Sequence, residues 1–483
     1  MKYDVLIVGA GVVGCAVARF LSQYQGRIGV LDKGYDVAEG ASKANSGIVH
    51  AGFDAKPGTL KAQLNVQGAQ MYPQLSRELG VPYSQNGALV LGFTPEDKET
   101  LEKLVQQGMD NGVEGVKLLQ RQQVLEMEPN VNPDVLCALY APTSGITSPY
   151  EMTFALADHA AVNGVQFLLG QTVMQVERLP EGLWQVNTDK HTYICKVLVN
   201  CAGVGSAKIH NMINPKPLTI VPRRGQYYLM DRMAQLPFAM TIFQCPTKMG
   251  KGVLVSPTVH GNLLLGPSAE DIDDDTDVST TAEGLEGVLE TSKLTWPDAT
   301  VRSGITNFSG IRAHEQNGDF VIGKAGENAY ETVGIESPGL SAAPAIAQML
   351  GEQIAKEQNL QKKSVFLPLP VREKPFYAMN TEEREEAVRQ NPMYGNLVCR
   401  CEMVTEAEIR MAIHRPVGAA TIDGIKRRTR SGMGRCQGGF CSPRVAEILA
   451  QELGIPITAV TKSGGESYLL TDSVAQAMKE EWK

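Results

Sequence analysis

The chain has 483 residues, of which 43% are hydrophobic and 20% charged, which is enough for full hydrophobic cores and about two to four domains. The formal net charge of −8 weighs against a nucleic-acid partner, because such binding needs a basic surface. The apolar runs are shorter than the roughly 18–20 residues of a membrane span. No secretory signal precedes the first apolar run, so we expect a cytoplasmic protein without a membrane span.

The N-terminal residues indicate a nucleotide-binding unit. The run YDVLIV predicts a buried parallel strand, and Gly9-x-Gly11-x-x-Gly14 then opens a helix. Gly9 permits a tight turn, Gly11 lets the backbone approach a pyrophosphate, and Gly14 allows close helix–strand packing. A second short strand ends at Asp32, where a carboxylate can accept hydrogen bonds from ribose hydroxyls. The alternative is a glycine-rich turn with an ordinary surface aspartate.

The same turn serves FAD and NAD, and later segments favour FAD. A small, polar, glycine-rich loop (40–52) follows Asp32, where a nicotinamide enzyme would more usually continue into a regular helix. Residues 197–203 predict another buried strand that ends in small residues. Residues 336–344 place a glycine-rich turn at a helix N-terminus, whose dipole can stabilise an anionic reduced flavin. Both later segments are also compatible with ordinary α/β turns.

Several motifs resemble the D-amino-acid-oxidase superfamily of FAD enzymes over about residues 1–365. They are the turn with Asp32, Asn45-Ser46-Gly47-x-x-His50-Ala51-Gly52, Asn200-x-Ala202-Gly203, Pro222-Arg223-Arg224-Gly225-Gln226-Tyr227-Tyr228 and Gly310-Ile311-Arg312. Residues 46–62 and 256–271 are most similar to L-2-hydroxyglutarate dehydrogenases. The resemblance implies an α/β fold with a Rossmann-like FAD domain (about 1–80, 145–215 and 320–365) and an interleaved mixed-sheet substrate domain (about 81–144 and 216–319).

The resemblance also implies a set of FAD-binding residues. They are Gly9, Gly11, Gly14, Asp32, Lys33, Ser42, Asn45, Ser46, Gly47, Val173, Ala202, Gly203, Gly310, Gly339, Leu340 and Ser341.

Four of the nine cysteines crowd between residues 399 and 441. A proline-marked, charged stretch (366–396) precedes them and is typical of a linker. Cys399-x-Cys401 and Cys436-x₄-Cys441 are each followed by a predicted helix, and helix N-termini favour thiolates. Four cysteines can hold zinc or a 2Fe–2S cluster, but zinc sites usually offer C-x₂-C pairs.

The cysteine arrangement resembles the bacterioferritin-associated-ferredoxin-like domain. This implies a small helical domain (397–465) with a 2Fe–2S cluster on the four cysteines, followed by a tail (466–483). The basic run 426–430 either docks an acidic redox partner, or offsets the charge of the cluster, or is a solvated helix end.

Two residues are the leading candidates for substrate chemistry. Arg312 can grip a carboxylate or phosphate, and the resemblance places this arginine over the flavin. His50 is either the proton acceptor or a residue that shapes its loop. His314 and His260 are reserve candidates. The histidines and cysteines interpreted as structural are His159, His191, His210, His414, Cys15, Cys137, Cys195, Cys201 and Cys245.

The fusion of these two modules resembles anaerobic-type glycerol-3-phosphate dehydrogenase, in which electrons pass to partner subunits. Two differences from aerobic relatives argue against a phosphate substrate. Those relatives have a Gly-Gly-Leu-Arg motif where this chain has Gly52-Phe53-Asp54, and a histidine in their strand is replaced by Leu218 here. We therefore expect oxidation of glycerol 3-phosphate, with electrons leaving through the cluster to a flavoprotein or other acceptor subunit. L-2-hydroxyglutarate, an imino acid or an opine are alternative substrates, and a non-catalytic electron-transfer subunit is the alternative of another class.

Overall fold

The computed structural model describes residues 1–233, 235–246 and 252–471. The first part of the chain forms β1 (Lys2–Val8), α1 (Val12–Leu21), β2 (Ile28–Leu31), β3 (Ile48–Val49), α2 (Leu60–Leu79), β4 (Tyr83–Ser84), β5 (Ala88–Gly92), α3 (Pro95–Asp110), β6 (Lys117–Gln120), α4 (Arg121–Met127), β7 (Cys137–Ala141), β8 (Gly145–Thr147) and α5 (Pro149–Val162). The middle part forms β9 (Gln166–Leu168), β10 (Val173–Arg178), β11 (Trp184–Thr188), β12 (Thr192–Asn200), α6 (Ser206–Ile213), β13 (Ile220–Met230), β14 (Thr241–Gln244), β15 (Leu254–Pro257), β16 (Leu263–Gly266), β17 (Glu270–Asp271), α7 (Ala282–Thr295), β18 (Gly304–Glu315), β19 (Val321–Gly326) and β20 (Ala329–Val333). The last part forms α8 (Gly339–Glu357), α9 (Thr381–Gln390), β21 (Leu397–Cys399), β22 (Val404–Thr405), α10 (Glu406–Ile413), α11 (Ile422–Thr429) and α12 (Ser442–Leu453).

The first sheet has eight strands in the order β10-β11-β12-β1-β2-β9, with β20 on β12 and β19 on β20. Strand β1 pairs in parallel with both β12 and β2. Its side chains alternate between the two faces, so Val5 and Ile7 pack with α1, α5 and α8, while Leu6 and Val8 pack with β11 and β12. Burial on both faces explains why this strand is almost continuously apolar.

The second sheet has nine strands in the order β17-β13-β16-β15-β14-β5-β7-β6, with β18 also paired to β13. The β13–β18 ladder is antiparallel and β14–β5 is parallel, so the sheet is mixed. Its strands come from residues 81–144 and 216–319, whereas the strands of the first sheet come from 1–80, 145–215 and 320–365. The predicted α/β class with a Rossmann-like domain and an interleaved mixed sheet is confirmed, and the domain boundaries stay a prediction.

The C-terminal part is a small helical unit. Helices α10, α11 and α12 pack with the β21–β22 pair around Ile409, Ile425 and Ile448. Val417 of this unit joins the large core formed by α1, α5 and α8. The unit therefore packs directly against the first sheet and its helices α1, α5 and α8, which together we call the first lobe. Of the predicted tail, residues 472–483 lie outside the described residues.

The segment 366–396 lies along the first lobe. Asn163 donates a side-chain hydrogen bond to the carbonyl of Leu367 (2.9 Å), and Arg372 donates to Glu151 (2.9 Å). Helix α9 is exposed and is capped by Asn380, whose side chain accepts from the backbone N–H of Glu383. The segment is therefore anchored at its start. Within the described ranges, no helix is both long and apolar enough to cross a membrane.

Candidate active site and cysteine cluster

The glycine-rich turn between β1 and α1 has room only for glycine at two positions. A Cβ on Gly9, which has φ +109°, would lie 2.2 Å from the carbonyl oxygen of Cys201. A Cβ on Gly14 would lie 1.9 Å from the carbonyl oxygen of Gly9. Ser42 Oγ accepts a hydrogen bond from the backbone N–H of Val12 (2.9 Å), which ties the later loop to the start of α1. The turn is thus a close-packed backbone surface of the kind that approaches a pyrophosphate.

Asp32 is held at the end of β2 by backbone donors. Its carboxylate accepts from the N–H of Ala10 (2.6 Å) and of Gly34 (2.7 Å). Burial raises the pKa of Asp32, and these two hydrogen bonds oppose that effect. The carboxylate is therefore fixed at the wall of the cavity, where the resemblance expects a ribose.

One cavity of about 1920 Å³ runs between the two sheets and along the glycine-rich turn. All the predicted cofactor-binding residues except Gly14 and Ser341 line it, as do His50 and Arg312. Small residues are required along its wall: a Cβ on Gly310 would lie 2.1 Å from the carbonyl oxygen of Ala44. These features fit a long ligand with a diphosphate and a flat ring, such as FAD. The role of each individual residue in binding it stays a prediction.

His50 is positioned by the N-terminus of α8. Its backbone N–H donates to Ser341 Oγ (2.8 Å), and its Nε2 lies 3.4 Å from Ser337 Oγ. The imidazole ring lies 5.7 Å from the ring of Phe243, measured between centroids. Ser341 does not line the cavity but fixes the backbone of a residue that does. This contact joins residues 291 apart in the sequence, so no local pattern could have shown it.

Arg312 is a cation of the second sheet that lines the cavity. Its Nη2 donates to the carbonyl oxygen of Ser268 (2.7 Å), and within the described ranges it forms no salt bridge. Neighbouring Arg223, by contrast, binds Asp271 through Nε (2.5 Å) and Nη2 (3.0 Å). The Arg312 guanidinium therefore keeps donors for an anionic ligand.

The two reserve histidines each pair with a glutamate. His314 Nδ1 lies 3.1 Å from Glu336, which also accepts from Lys61 Nζ (3.1 Å). His260 Nε2 lies 2.8 Å from Glu151. Although burial raises the pKa of Glu151, the hydrogen bond from His260 and the charge of Arg372 lower it to about 2. His260 therefore faces a buried carboxylate that stays ionised.

The remaining histidines and cysteines have mainly packing and hydrogen-bonding contacts. His210 bonds to Glu331 (2.7 Å), and His159 contacts the carbonyl of Leu367 (2.9 Å). Burial raises the pKa of Cys195, Cys201 and Cys245 to about 12. Those thiols are therefore protonated near neutral pH.

The four C-terminal cysteines form two pairs. Cys401 and Cys436 have their Sγ atoms 3.8 Å apart, and Cys399 is hydrogen-bonded to Cys441. The thiol of Cys441 and the backbone N–H groups of Gly432 and Glu402 lower the pKa of Cys399 to about 6. Cys441 is the N-cap residue of α12, and Cys399 ends β21. Backbone donors thus surround the sulfurs, as expected for thiolate ligands.

The two close pairs of thiols fit the ligand set of a 2Fe–2S cluster. A 2Fe–2S cluster needs two cysteines for each iron, which matches two pairs of thiols. A single zinc ion would need all four sulfurs around one centre.

The basic run 426–430 does not form an exposed docking site. Arg428 is buried and donates two hydrogen bonds to Asp36 (2.6 and 2.7 Å), and it lies 4.1 Å from the ring centroid of Phe154. Arg427 also binds Asp36 (3.1 Å). Arg430 donates to Glu402 (2.7 Å). The interpretations of the run as a partner docking site and as a solvated helix end are therefore wrong for these arginines. Arg427 and Arg428 join the C-terminal unit to the first lobe, and Arg430 joins two segments within the C-terminal unit.

The C-terminal unit also supplies part of the cavity wall, which no pattern in the sequence predicts. The contributing residues are Asp423, Lys426, Arg427, Arg430, Met433 and Gln437. Tyr150 Oη donates to Met433 Sδ across the boundary (3.7 Å). Gln437 follows the cluster residue Cys436 directly, so the cysteine cluster lies beside the cavity.

The turn, the cavity and the two-lobed fold together define a flavin-dependent oxidoreductase. Residues 4–353 match the family of FAD dependent oxidoreductases, and the chain belongs to this family. Residues 397–451 match the BFD-like [2Fe-2S] binding domain. The cofactors of the chain are therefore FAD and a 2Fe–2S cluster.

Two relatives and one solved structure are similar to this chain. A glycerol 3-phosphate dehydrogenase from Caloramator mitchellensis is 48% identical, over 97% of this chain and 98% of the relative. An L-2-hydroxyglutarate dehydrogenase from Bos taurus is 32% identical, over 56% of this chain and 61% of the relative. The solved structure of dithionite-reduced L-alpha-glycerophosphate oxidase from Mycoplasma pneumoniae with FAD bound has a TM-score of 0.72 and 30% identity, and covers 76% of this chain and 97% of its own.

Proposed function

We propose that this protein oxidises glycerol 3-phosphate and passes the electrons through its cluster to an acceptor protein. The observation that carries this proposal is the similarity to a glycerol 3-phosphate dehydrogenase along nearly the whole chain, both modules included. In the reaction a secondary alcohol becomes a ketone, and two electrons and two protons leave the substrate. FAD supplies a hydride acceptor and the 2Fe–2S cluster a one-electron outlet.

In this proposal, Arg312 binds the anionic end of the substrate. Its guanidinium lines the cavity and forms no salt bridge in the ranges that the structure covers. Arginine suits a phosphate because its planar fork donates two parallel hydrogen bonds. His50 accepts the hydroxyl proton, since its ring lines the same cavity and its backbone is fixed by Ser341. A fixed imidazole can take up a proton near neutral pH.

The electron outlet is proposed at the exposed side of the cysteine cluster. Cys401 is exposed, and Phe440, between Cys436 and Cys441, is 89% exposed. An acceptor flavoprotein or other redox subunit could approach the cluster here. The enzyme is proposed to work in the cytoplasm, where cysteine ligands stay reduced.

The decisive experiment is anaerobic bleaching of the flavin with a panel of substrates. Glycerol 3-phosphate should bleach the flavin faster than L-2-hydroxyglutarate, lactate, proline or opines. Bleaching by L-2-hydroxyglutarate alone would instead favour the dehydrogenases to which residues 46–62 and 256–271 are similar. No bleaching by any of them would favour a non-catalytic electron-transfer subunit.

Arg312 offers a direct test of the anion site. Arg312→Met should lower the second-order rate constant of bleaching by roughly 30- to 1000-fold, which corresponds to about 2–4 kcal/mol for a lost charged hydrogen-bond partner. Arg178→Met is a matched control, because Arg178 pairs with Glu327 at the surface of the first lobe. Equal rates for both variants and the wild type would rule out Arg312 as the anion-binding residue.

A further inference from the structure

Helix α11 and the residue that caps its C-terminus present one stripe of residues to the flavin cavity. Asp423, Lys426 and Arg427 of the helix and the capping residue Arg430 all line the cavity. Arg427 and Arg430 bind carboxylates, and Asp423 binds Lys462 (2.6 Å). Each of these three charges therefore has an ionic partner within the protein.

Lys426 is the exception in the stripe. In residues 1–233, 235–246 and 252–471, its ammonium group forms no salt bridge and no hydrogen bond. Burial lowers the pKa of Lys426, and the charge of Asp423, one turn earlier on the helix, opposes that effect. Asp423 is itself paired with Lys462 and makes no direct contact with Lys426 within the described ranges, so an anion in the cavity would be the first direct partner of this half-buried ammonium group.

The neighbours of Lys426 locate it along the cavity. Arg427 binds both Asp36 and Glu39 of the loop that follows Asp32. Three residues further along, Ser42 Oγ accepts from the N–H of Val12, at the turn where a dinucleotide's phosphates bind. Lys426 therefore lies on the helix that packs beside the phosphate-binding turn.

We propose that Lys426 binds the diphosphate of FAD. The diphosphate would supply the anion that the described part of the chain does not, and the ammonium group would neutralise one of its charges. The iron–sulfur domain would then complete the FAD site, in addition to carrying electrons. The inference concerns cofactor binding and does not depend on the identity of the substrate.

Two other anions are competing partners. The phosphate of the proposed substrate has the same chemistry, but Arg312, which lines the cavity on the second sheet and forms no salt bridge within the described ranges, is the proposed partner of that phosphate. The thiolate of Cys441 also acts on Lys426 electrostatically, although the two form no direct contact within hydrogen-bonding distance. Contact with the 36–42 loop through Arg427 favours the FAD diphosphate over both.

The test measures ligand binding to the full-length protein from which FAD has been removed. Lys426→Met should weaken FAD and ADP by about ten- to a hundredfold, as expected for a lost charge-assisted contact, and leave riboflavin unchanged because it has no phosphate. Lys426→Arg should restore most of the affinity. Lys196→Met is the matched control, because Lys196 is exposed, pairs with Asp4 and does not line the cavity. The cluster's visible spectrum confirms that each variant is folded.

The proposal is overturned if Lys426→Met binds FAD and ADP within twofold of the wild type. It is also overturned if only glycerol 3-phosphate binding weakens, which would assign Lys426 to the substrate. A shift in the cluster's electron paramagnetic resonance with unchanged FAD affinity would assign it to Cys441.

A second measurement needs no variant. FAD and ADP should each protect Lys426 from acylation in the wild-type protein, as read by mass spectrometry, while riboflavin should not. Equal labelling with and without ADP would contradict the proposal. Because both experiments measure binding of FAD and ADP without turnover, failure here leaves the proposed reaction untouched.

Discussion

Replacing Asp36 by asparagine should release the C-terminal unit from the first lobe. Asp36 is buried and accepts hydrogen bonds from Arg428 (2.6 and 2.7 Å) and Arg427 (3.1 Å). Although burial raises the pKa of Asp36, the charge of Arg428 lowers it, so the carboxylate is ionised. Asp36→Asn leaves the buried guanidinium of Arg428 facing a neutral amide, while Arg427 keeps Glu39 as its partner.

The size of the effect follows from the burial of the arginines. The Arg428 side chain is 0% exposed and that of Arg427 is 7% exposed, so neither can regain water without separating the two surfaces. Removing one partner of a buried ion pair costs about 3–5 kcal/mol. At about 1.4 kcal/mol per factor of ten, opening of the interface should become roughly 150- to 4000-fold more frequent.

Hydrogen–deuterium exchange measures this opening directly. Amides of α11 and of the 36–39 loop should exchange faster by that factor in Asp36→Asn. Asp423→Asn is the control, because its partner Lys462 is 56% exposed and such a pair is worth about 0–1 kcal/mol. The double variant Asp36→Leu with Arg428→Met should recover part of the loss, since an apolar pair avoids the unpaired charge. Unchanged exchange in Asp36→Asn would refute the view that this ion pair holds the interface.

Three further outcomes follow from the site. The pKa of Glu151 is about 2 in the folded protein, below its usual value of 4.5. The ionised carboxylate therefore stabilises the folded protein at pH values above 4.5, and this stabilisation is lost as the pH falls towards 2. Glu151→Gln should therefore be less stable by about 3 kcal/mol near pH 7, with the gap closing towards pH 2 in thermal melts; a pH-independent gap would contradict this. Gly9→Ala should yield protein without FAD, because the new Cβ would lie 2.2 Å from the carbonyl oxygen of Cys201, and normal flavin content would show that the turn can shift. Cys436→Ser should abolish the cluster's electron paramagnetic resonance signal while substrate still bleaches the flavin, and loss of bleaching would show that the two sites are not separable.

Features of the site that depend on a few consecutive residues can be predicted from the sequence. The turn at Gly9, the end of β2 at Asp32 and the two cysteine pairs each depend on backbone geometry within a few residues. In the turn, close backbone contacts require glycine at particular positions, and the sequence therefore shows glycines at a fixed spacing. The sequence alone therefore predicts the glycine-rich turn and the two cysteine pairs.

Contacts between distant segments could not be predicted in the same way. Arg428 and Asp36 are 392 residues apart, and nothing in the run 426–430 distinguishes a buried arginine from a solvated one. The same holds for Lys426 and Met433, which reach the flavin cavity only because the C-terminal unit packs on α5. Hydrophobic periodicity shows which face of a helix is buried, but it does not show against which partner.

The anchored segment 366–396 has a consequence for the construction of chimaeras. A graft of residues 397–465 onto another flavoprotein would leave behind the contacts of Leu367 and Arg372 with the first lobe. It would also meet a host surface without the acidic receptor formed by Asp36 and Glu39. The transferable module therefore begins near residue 366, and its host must carry those two carboxylates.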